Sequence, residues 1–276
     1  MTKKVVVVTG GGSGMGLETI KNMDKEYIFI ISGRTVSRLE GAVNELNALG
    51  YTVYPFACDV SNRDNVKSLV EYATSLGEVT VVINAAGVSP AMKGTCESIL
   101  KINALGTVYV NQEFASVMGA GSVICDIASN SAYVLPSFMV PKKVFKLAES
   151  NEEKFVKKLV GRSQIAKGEY YKKGLAYSFS KVFVIWYSKK CAFEFGKKGI
   201  RVVSVSPGLI ATDMGNLEAK DGAMLIPNTA ENRMGKPEEL GYAIATVADP
   251  RNGFLCAYDV LCDGGASTRM KEFRSK

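Results

Sequence analysis

Short apolar runs rich in β-branched residues recur along the chain and alternate with longer stretches of helical periodicity. The predicted strands are Lys4–Thr9 (KVVVVT), Tyr27–Ser32 (YIFIIS), Thr52–Ala57 (TVYPFA), Val79–Asn84 (VTVVIN), Ser122–Ile127 (SVICDI), Arg201–Ser206 (RVVSVS) and Tyr258–Cys262. The early runs are continuously apolar instead of alternating, as expected for strands covered by helices on both faces of a parallel sheet. Between them Ser37–Leu49, Asn62–Leu76 and Leu175–Lys197 carry helical patterns. Strand and helix in alternation predict the α/β class: a doubly wound parallel sheet of about seven strands with helices on both faces. No Pro/Gly/Ser linker, composition break or internal repeat divides the chain, so residues 1–276 are expected to form a single domain.

One stretch exceeds a minimal version of that layout. After Ile127 the chain passes Pro136 and Pro141 and reaches Ser150-Asn151-Glu152-Glu153. Ser150 and Glu153 have the spacing of a capping box, ahead of Phe155, Val156, Leu159 and Val160 at helical spacing. Residues 136–174 therefore read as a helical insertion.

Composition narrows the chemistry. The chain has 34 Lys+Arg, 27 Asp+Glu and no His. Without histidine there is no Ser-His-Asp or Cys-His nucleophile system, no HExxH zinc site and no imidazole acid–base catalyst. Proton transfer must come from Tyr, Lys, Asp, Glu or Cys, and no metal site is expected. The six cysteines, at 58, 96, 125, 191, 256 and 262, form no CxxC pair and sit mostly among apolar neighbours, which reads as buried thiols in a reducing compartment. Met1-Thr2-Lys3-Lys4 leads into four valines and a Thr-Gly turn, too short for a signal peptide or a membrane span. The expected location is cytoplasmic. Nearly the whole +7 charge lies between Lys142 and Lys173, with ten Lys/Arg against four Glu. A solvated helix face accounts for that better than a patch for nucleic acid or membrane, and neither partner is expected.

The first strand ends in Thr9-Gly10-Gly11-Gly12-Ser13-Gly14-Met15-Gly16. No three of these glycines have the GxGxxG spacing; TGxxxGxG is present through Gly10, Gly14 and Gly16. Glycines there permit a tight turn and close backbone approach, so that a pyrophosphate can sit at a helix N-terminus.

From this turn onward the chain resembles the short-chain dehydrogenase/reductase superfamily in its shorter form, from Lys3 to about Ser267 apart from the insertion. Thr9 to Gly16, with Ser13 and Met15 inside it, matches the family's cofactor turn. Cys58-Asp59-Val60 matches its adenine-contacting Asp, and Asn84-Ala85-Ala86-Gly87 the motif that ends the fourth strand beside the cofactor. Lys101-Ile102-Asn103 matches the position of a catalytic Asn, and Tyr177-Ser178-Phe179-Ser180-Lys181 matches YxxxK. Pro207-Gly208-Leu209-Ile210-Ala211-Thr212 matches the PGxxxT stretch that contacts nicotinamide, and Asp263-Gly264-Gly265 the terminal DGG. The resemblance implies a Rossmann-like fold, a nicotinamide cofactor, a small-molecule alcohol or ketone substrate and a homo-dimer or homo-tetramer. Asn103, by the same resemblance, supports a water-mediated proton path.

The residues make chemical sense of it. Tyr177 and Lys181 are i and i+4, hence on one helix face. A phenol with a pKa near 10 is a poor base at neutral pH, and a neighbouring ammonium stabilises the phenolate. At the end of the fifth strand Ser129 best fits the family's catalytic Ser, with Ser131 close enough to compete; its hydroxyl would donate to the substrate oxygen. Ser129 and Tyr177 are further apart than in compact members because the insertion lies between them, as in the carbonyl-reductase and some hydroxysteroid-dehydrogenase branches. Sites that prefer NAD place an acid at the end of the second strand. Here Ser32-Gly33-Arg34-Thr35 has none, and Arg34, with Thr35 or Ser37, can meet a 2′-phosphate. The expected cofactor is NADP, with NAD less favoured.

Residues 212–235 occupy the family's lid position, and Met214, Leu217, Met224, Leu225, Ile226 and Met234 suit a bulky, apolar substrate such as a steroid or bile acid. Carbonyl reduction of small ketones or sugar-type substrates is the nearest alternative. Lys154, Lys157 and Lys158 of the insertion are candidates for holding an anionic substrate tail. Two further classes fit less well: a NAD-retaining epimerase or dehydratase, and a non-catalytic NADP sensor. The length and TGxxxGxG spacing argue against the first, the intact Ser-Asn-Tyr-Lys set against the second.

Overall fold

The computed structural model describes residues 3–273, with the side chains of residues 218–224 outside the described set. Seven parallel strands form one sheet: β1 (Lys4–Thr9), β2 (Ile28–Gly33), β3 (Thr52–Ala57), β4 (Glu78–Asn84), β5 (Val123–Ile127), β6 (Arg201–Pro207) and β7 (Asp259–Cys262). Their order is β3-β2-β1-β4-β5-β6-β7, and every pairing is parallel. Each predicted strand is present to within a residue at either end. Val5, Val6, Val7 and Val8 of β1 are wholly buried. Val5 and Val7 pack with one set of helices, Val6 and Val8 with the opposite set, which is why the run shows no polar alternation. Full burial stabilises each such side chain by about 1.5–3 kcal/mol, so a charge at Val7 would abolish the sheet's centre.

Helices α1 (Gly14–Ile20), α2 (Val36–Ala48) and α10 (Pro237–Ala248) cover one face through Ile20, Leu39, Leu46 and Ile244. The other face is covered by α3 (Arg63–Leu76) and α5 (Gly106–Val117), through Leu69 and Val108, and by α8 (Glu169–Phe195), whose Ser188 bonds Asp126 of β5. Ahead of α5 the chain forms α4 (Cys96–Leu100) and one π-helical turn, Lys101–Leu105. The chain winds outward from β1 to β3 and then returns to β4. This reversal opens a crevice beyond the carboxyl ends of β1 and β4, the place where such sheets bind ligands.

The insertion contains α6 (Lys142–Phe145) and α7 (Glu152–Ser163). Asn151 caps α7, not Ser150: its side chain accepts from Lys154 N at 2.9 Å. The helix begins one residue later than the Ser150–Glu153 spacing implies, because Asn151 is the last residue outside the helical conformation. Phe155, Val156 and Leu159 are buried, and the Phe155 ring lies 5.0 Å from that of Phe183 on α8. Polar ties reinforce this contact. Tyr109 donates to Glu152 at 2.5 Å, and Tyr187 and Lys190 both hold Glu149. Burial opposes ionisation of Glu149, but the Lys190 and Tyr187 hydrogen bonds outweigh it and hold the carboxyl below the usual range. With its apolar stripe on α8, α7 turns Lys154, Lys157, Lys158 and Arg162 to solvent.

Helix α8 starts at Glu169, well before the expected Leu175. Gly168, at φ +88°, takes the left-handed conformation that lets the chain turn into the helix. Residues 169–174 of the predicted insertion are thus the first turns of the helix that carries Tyr177.

Candidate active site

The turn after β1 is held from beneath. A Cβ on Gly10, at φ +70°, would stand 2.8 Å from the Ala85 carbonyl oxygen, and one on Gly16 2.7 Å from that of Gly10. Only glycine allows the turn to lie this close to the end of β4 and to the start of α1. Thr9 and Asn84 face each other in register; Thr9 Oγ1 donates to Asn84 Oδ1 at 2.9 Å and accepts from Ala86 N at 3.1 Å. Both are buried behind the crevice wall, so they fix Ala85 and Ala86, which line it.

On the β2–β3 side the crevice is bounded by Gly10, Ser13, Arg34, Thr35, Asp59 and Val60. Ser13 precedes α1 in extended conformation without capping it through its side chain, leaving first-turn amides for a ligand. Arg34 and Thr35 are exposed at the end of β2, where no carboxylate stands. A glycine cradle beside open amides, with an arginine at the ribose end, fits a dinucleotide phosphate.

On the other side lies a cavity of about 540 Å³ that brings together Ser129, Tyr177 and Lys181. Met15, Gly87, Pro207, Gly208, Ile210 and Thr212 also border it, so the cofactor turn, the end of β4 and the stretch after β6 meet there. Lys181 is buried; its Nζ donates to the Ile127 carbonyl oxygen at 2.9 Å and lies 5.6 Å from the Tyr177 ring centroid. Ser129 Oγ accepts from Ser131 N at 3.2 Å. Ser131 also borders the cavity, and its Oγ is buried without a hydrogen-bond partner among the described residues.

Asn103 sits in the π-helical turn, 2% exposed, outside the cavity lining. Its side chain clamps the Val88 backbone, accepting from N and donating to O, each at 2.9 Å, and reaches Ser180 Oγ at 3.3 Å. A Cβ on Gly87 would lie 3.3 Å from Asn103 Oδ1 and 3.7 Å from Lys181 Nζ, so the amide oxygen and the ammonium both stand close to Gly87.

Asp126 of β5 is fully buried and not singled out by the sequence. Its carboxylate accepts from Ser188 (2.6 Å), Asn111 (2.8 Å) and Asn84 (3.1 Å). Burial pushes its pKa up to about 6, against the pull of these donors and of Lys181. A continuous polar path therefore joins Thr9 through Asn84 and Asp126 to Ser188 on α8.

The far wall of the cavity is largely apolar: Val134, Leu135, Tyr170, Tyr171, Leu175 and Leu209. Four of these lie in or beside the insertion. The Tyr170 and Tyr171 rings meet edge to face at 5.7 Å. Placing the start of α8 at Gly168 in the sequence would have put both tyrosines on the helix of Tyr177. Lys181 is the sole lysine or arginine on this lining among the described residues. The expectation that Lys154, Lys157 and Lys158 reach the substrate is thereby corrected: the apolar stripe of α7 is spent on α8, and its lysines point away. From the expected lid, α9 (Asp213–Gly222) and the turn after it contribute Met214 and Leu225. Leu217 borders a neighbouring cleft, and the Met224 side chain lies outside the described residues.

No helix among the described residues is long and apolar enough to cross a membrane. The family model described as "short chain dehydrogenase" matches residues 4–141, and that described as "Enoyl-(Acyl carrier protein) reductase" matches residues 137–267. The chain is 26% identical to a short-chain dehydrogenase/reductase of Alternaria brassicicola over 271 residues, covering 96% of each. It is 25% identical to 3beta-hydroxysteroid dehydrogenase 2 of Eggerthella lenta over 281 residues, covering 96% of this chain and 95% of the relative. A short-chain dehydrogenase from Burkholderia cenocepacia, solved in complex with NADP, superposes with a TM-score of 0.76 at 22% identity, covering 95% of this chain and 97% of that one. With the two models spanning the whole sheet and its site, the chain belongs to the short-chain dehydrogenase/reductase superfamily of NAD(P)-dependent oxidoreductases.

Proposed function

We propose that the protein is an NADP(H)-dependent oxidoreductase interconverting a secondary alcohol and a ketone on a bulky, apolar substrate such as a hydroxysteroid or bile acid. The observation that carries this reading is the single cavity bordered by Ser129, Tyr177 and Lys181 at one end and by an apolar, partly aromatic wall at the other. When bound, the cofactor supplies or accepts the hydride. Tyr177 is the general acid in reduction and the general base in oxidation, exchanging its phenolic proton with the substrate oxygen. Ser129 donates to that oxygen and stabilises the charge developing on it, held in place by the Ser131 amide. Lys181, fixed to Ile127 O, provides the positive charge beside Tyr177 and holds the nicotinamide ribose. Asn103 positions the Gly87–Val88 backbone and supports proton passage to Lys181.

The 2′-phosphate falls to Arg34 and Thr35, with Asp59 and Val60 at the adenine. Ser13, Gly14 and Met15 border the pyrophosphate, and Pro207, Gly208, Ile210 and Thr212 the nicotinamide. We place the enzyme in the cytoplasm, in keeping with six cysteines free of disulfides. We also place it in a homo-dimer or homo-tetramer; because α7 covers the Phe183 and Tyr187 face of α8, the subunits meet elsewhere. An NADPH-oxidation screen over ketosteroids, oxo bile acids, sugars and small diketones tests the reading. Turnover concentrated on the first two supports it, and turnover confined to sugars or small diketones overturns the substrate class.

A further inference from the structure

Arg38, in the first turn of α2 four residues after Arg34, borders two spaces at once: the ribose end of the cofactor crevice and the cleft between α1, α2 and α9. Across that cleft its Nη2 stands 4.0 Å from Oδ2 of Asp213, the first residue of α9. Both side chains are largely exposed, 61% and 85%. The next residue, Met214, borders the cofactor crevice and the substrate cavity as well as the cleft. The cleft is otherwise acidic, with Glu18, Glu45 and Glu238, of which Glu18 and Glu45 are both engaged by Lys21 at 2.6 Å.

We propose that Arg38 is a shared cation: it tethers the lid helix to Asp213 while the ribose end is empty, and a 2′-phosphate draws it away, releasing the first turn of α9. An exposed ion pair contributes only about 0–1 kcal/mol. A phosphate dianion beside Arg34 offers the same guanidinium a doubly charged, bidentate partner. The exchange therefore runs toward the phosphate. Because Met214 is a wall of both spaces, the freed turn changes the substrate cavity as well. Phosphate recognition at one end of the crevice is thus coupled to the lid at the other, and a 2′-hydroxyl would not trigger it. The inference rests on the NADP(H) reading above.

The test uses two fragments, 2′,5′-ADP and 5′-ADP, titrated calorimetrically into the full-length protein and into Arg38→Gln, Asp213→Asn and the double variant. Arg38→Gln is expected to weaken 2′,5′-ADP about tenfold while leaving 5′-ADP unchanged within a factor of about two. Asp213→Asn removes the competitor and is expected to tighten 2′,5′-ADP about three- to fivefold. In the Arg38→Gln background the same change has no effect. Hydrogen exchange across residues 213–217 rises on adding 2′,5′-ADP to the unaltered protein and is already high in Asp213→Asn. Preserved preference for 2′,5′-ADP with no response to Asp213→Asn overturns the exchange alone. Equal affinity of the unaltered protein for both fragments overturns the NADP(H) reading and the exchange with it.

Discussion

Lys181 on α8 donates to the carbonyl oxygen of Ile127, the last residue of β5, at 2.9 Å. This bond, together with that from Ser188 to Asp126, ties the helix of Tyr177 to the strand that leads into Ser129. Lys181→Met keeps the stem and removes the charge. Turnover is expected to fall by about two orders of magnitude or more. The pH–rate profile of alcohol oxidation should move toward the free phenol's value near 10. A reduced rate with an unmoved profile would show that Lys181 acts through packing alone.

Asp126 links stability to pH. Its pKa in the fold, about 6, exceeds the value of about 4 expected in the unfolded chain, so the folded state binds the proton more tightly. The stabilisation this provides is complete below about pH 4 and is lost as pH rises through about 6. Its size is on the order of 3 kcal/mol. Urea unfolding across pH 4–7 should show the unaltered protein gaining stability over Asp126→Asn as pH falls. Parallel curves would mean that the Ser188, Asn111 and Asn84 donors hold the carboxyl at its ordinary acidity.

Arg34 borders the ribose end with no acid beside it at the end of β2. Arg34→Asp should raise KM for NADPH by about a hundredfold or more, since a phosphate partner becomes a like charge. KM for NADH should change little or fall. Equal loss with both cofactors would reduce Arg34 to an adenine-stacking residue.

Leu135 and Tyr171 both border the cavity, and Tyr171 is 68% exposed. Leu135→Ala and Tyr171→Ala should each raise KM for a ring-bearing ketone several-fold and leave a small diketone unaffected. Steady-state kinetics on the two substrates decide. The same shift for both would place the wall outside substrate recognition.

The sheet was legible because its central strands are buried on both faces and say so locally: Val5–Val8 needs no distant residue to be read as a strand. The site was legible where backbone geometry restricts the residue, as at Gly10, or where spacing places two groups on one helix face, as for Tyr177 and Lys181. The insertion was not. Its position depends on Phe155 meeting Phe183, a contact between segments that local periodicity treats separately. That packing turns Lys154, Lys157 and Lys158 outward, as the solvated-face reading expected, and lets Tyr170 and Tyr171 reach the cavity, which charge did not suggest. Asp126 was hidden by its setting in an apolar strand, where only the three donors from β4, α5 and α8 reveal a use for it.

In the proposed mechanism Tyr177 moves the proton while other residues bind. Tyr177→Phe removes one oxygen from a cavity whose remaining wall is untouched. NADPH oxidation in the presence of a saturating ketosteroid, with NADPH affinity measured by fluorescence on the same sample, tests it most directly. Turnover is expected to fall by about a thousandfold or more with NADPH affinity within about twofold of the unaltered protein. Substantial turnover in Tyr177→Phe at normal NADPH affinity would contradict it.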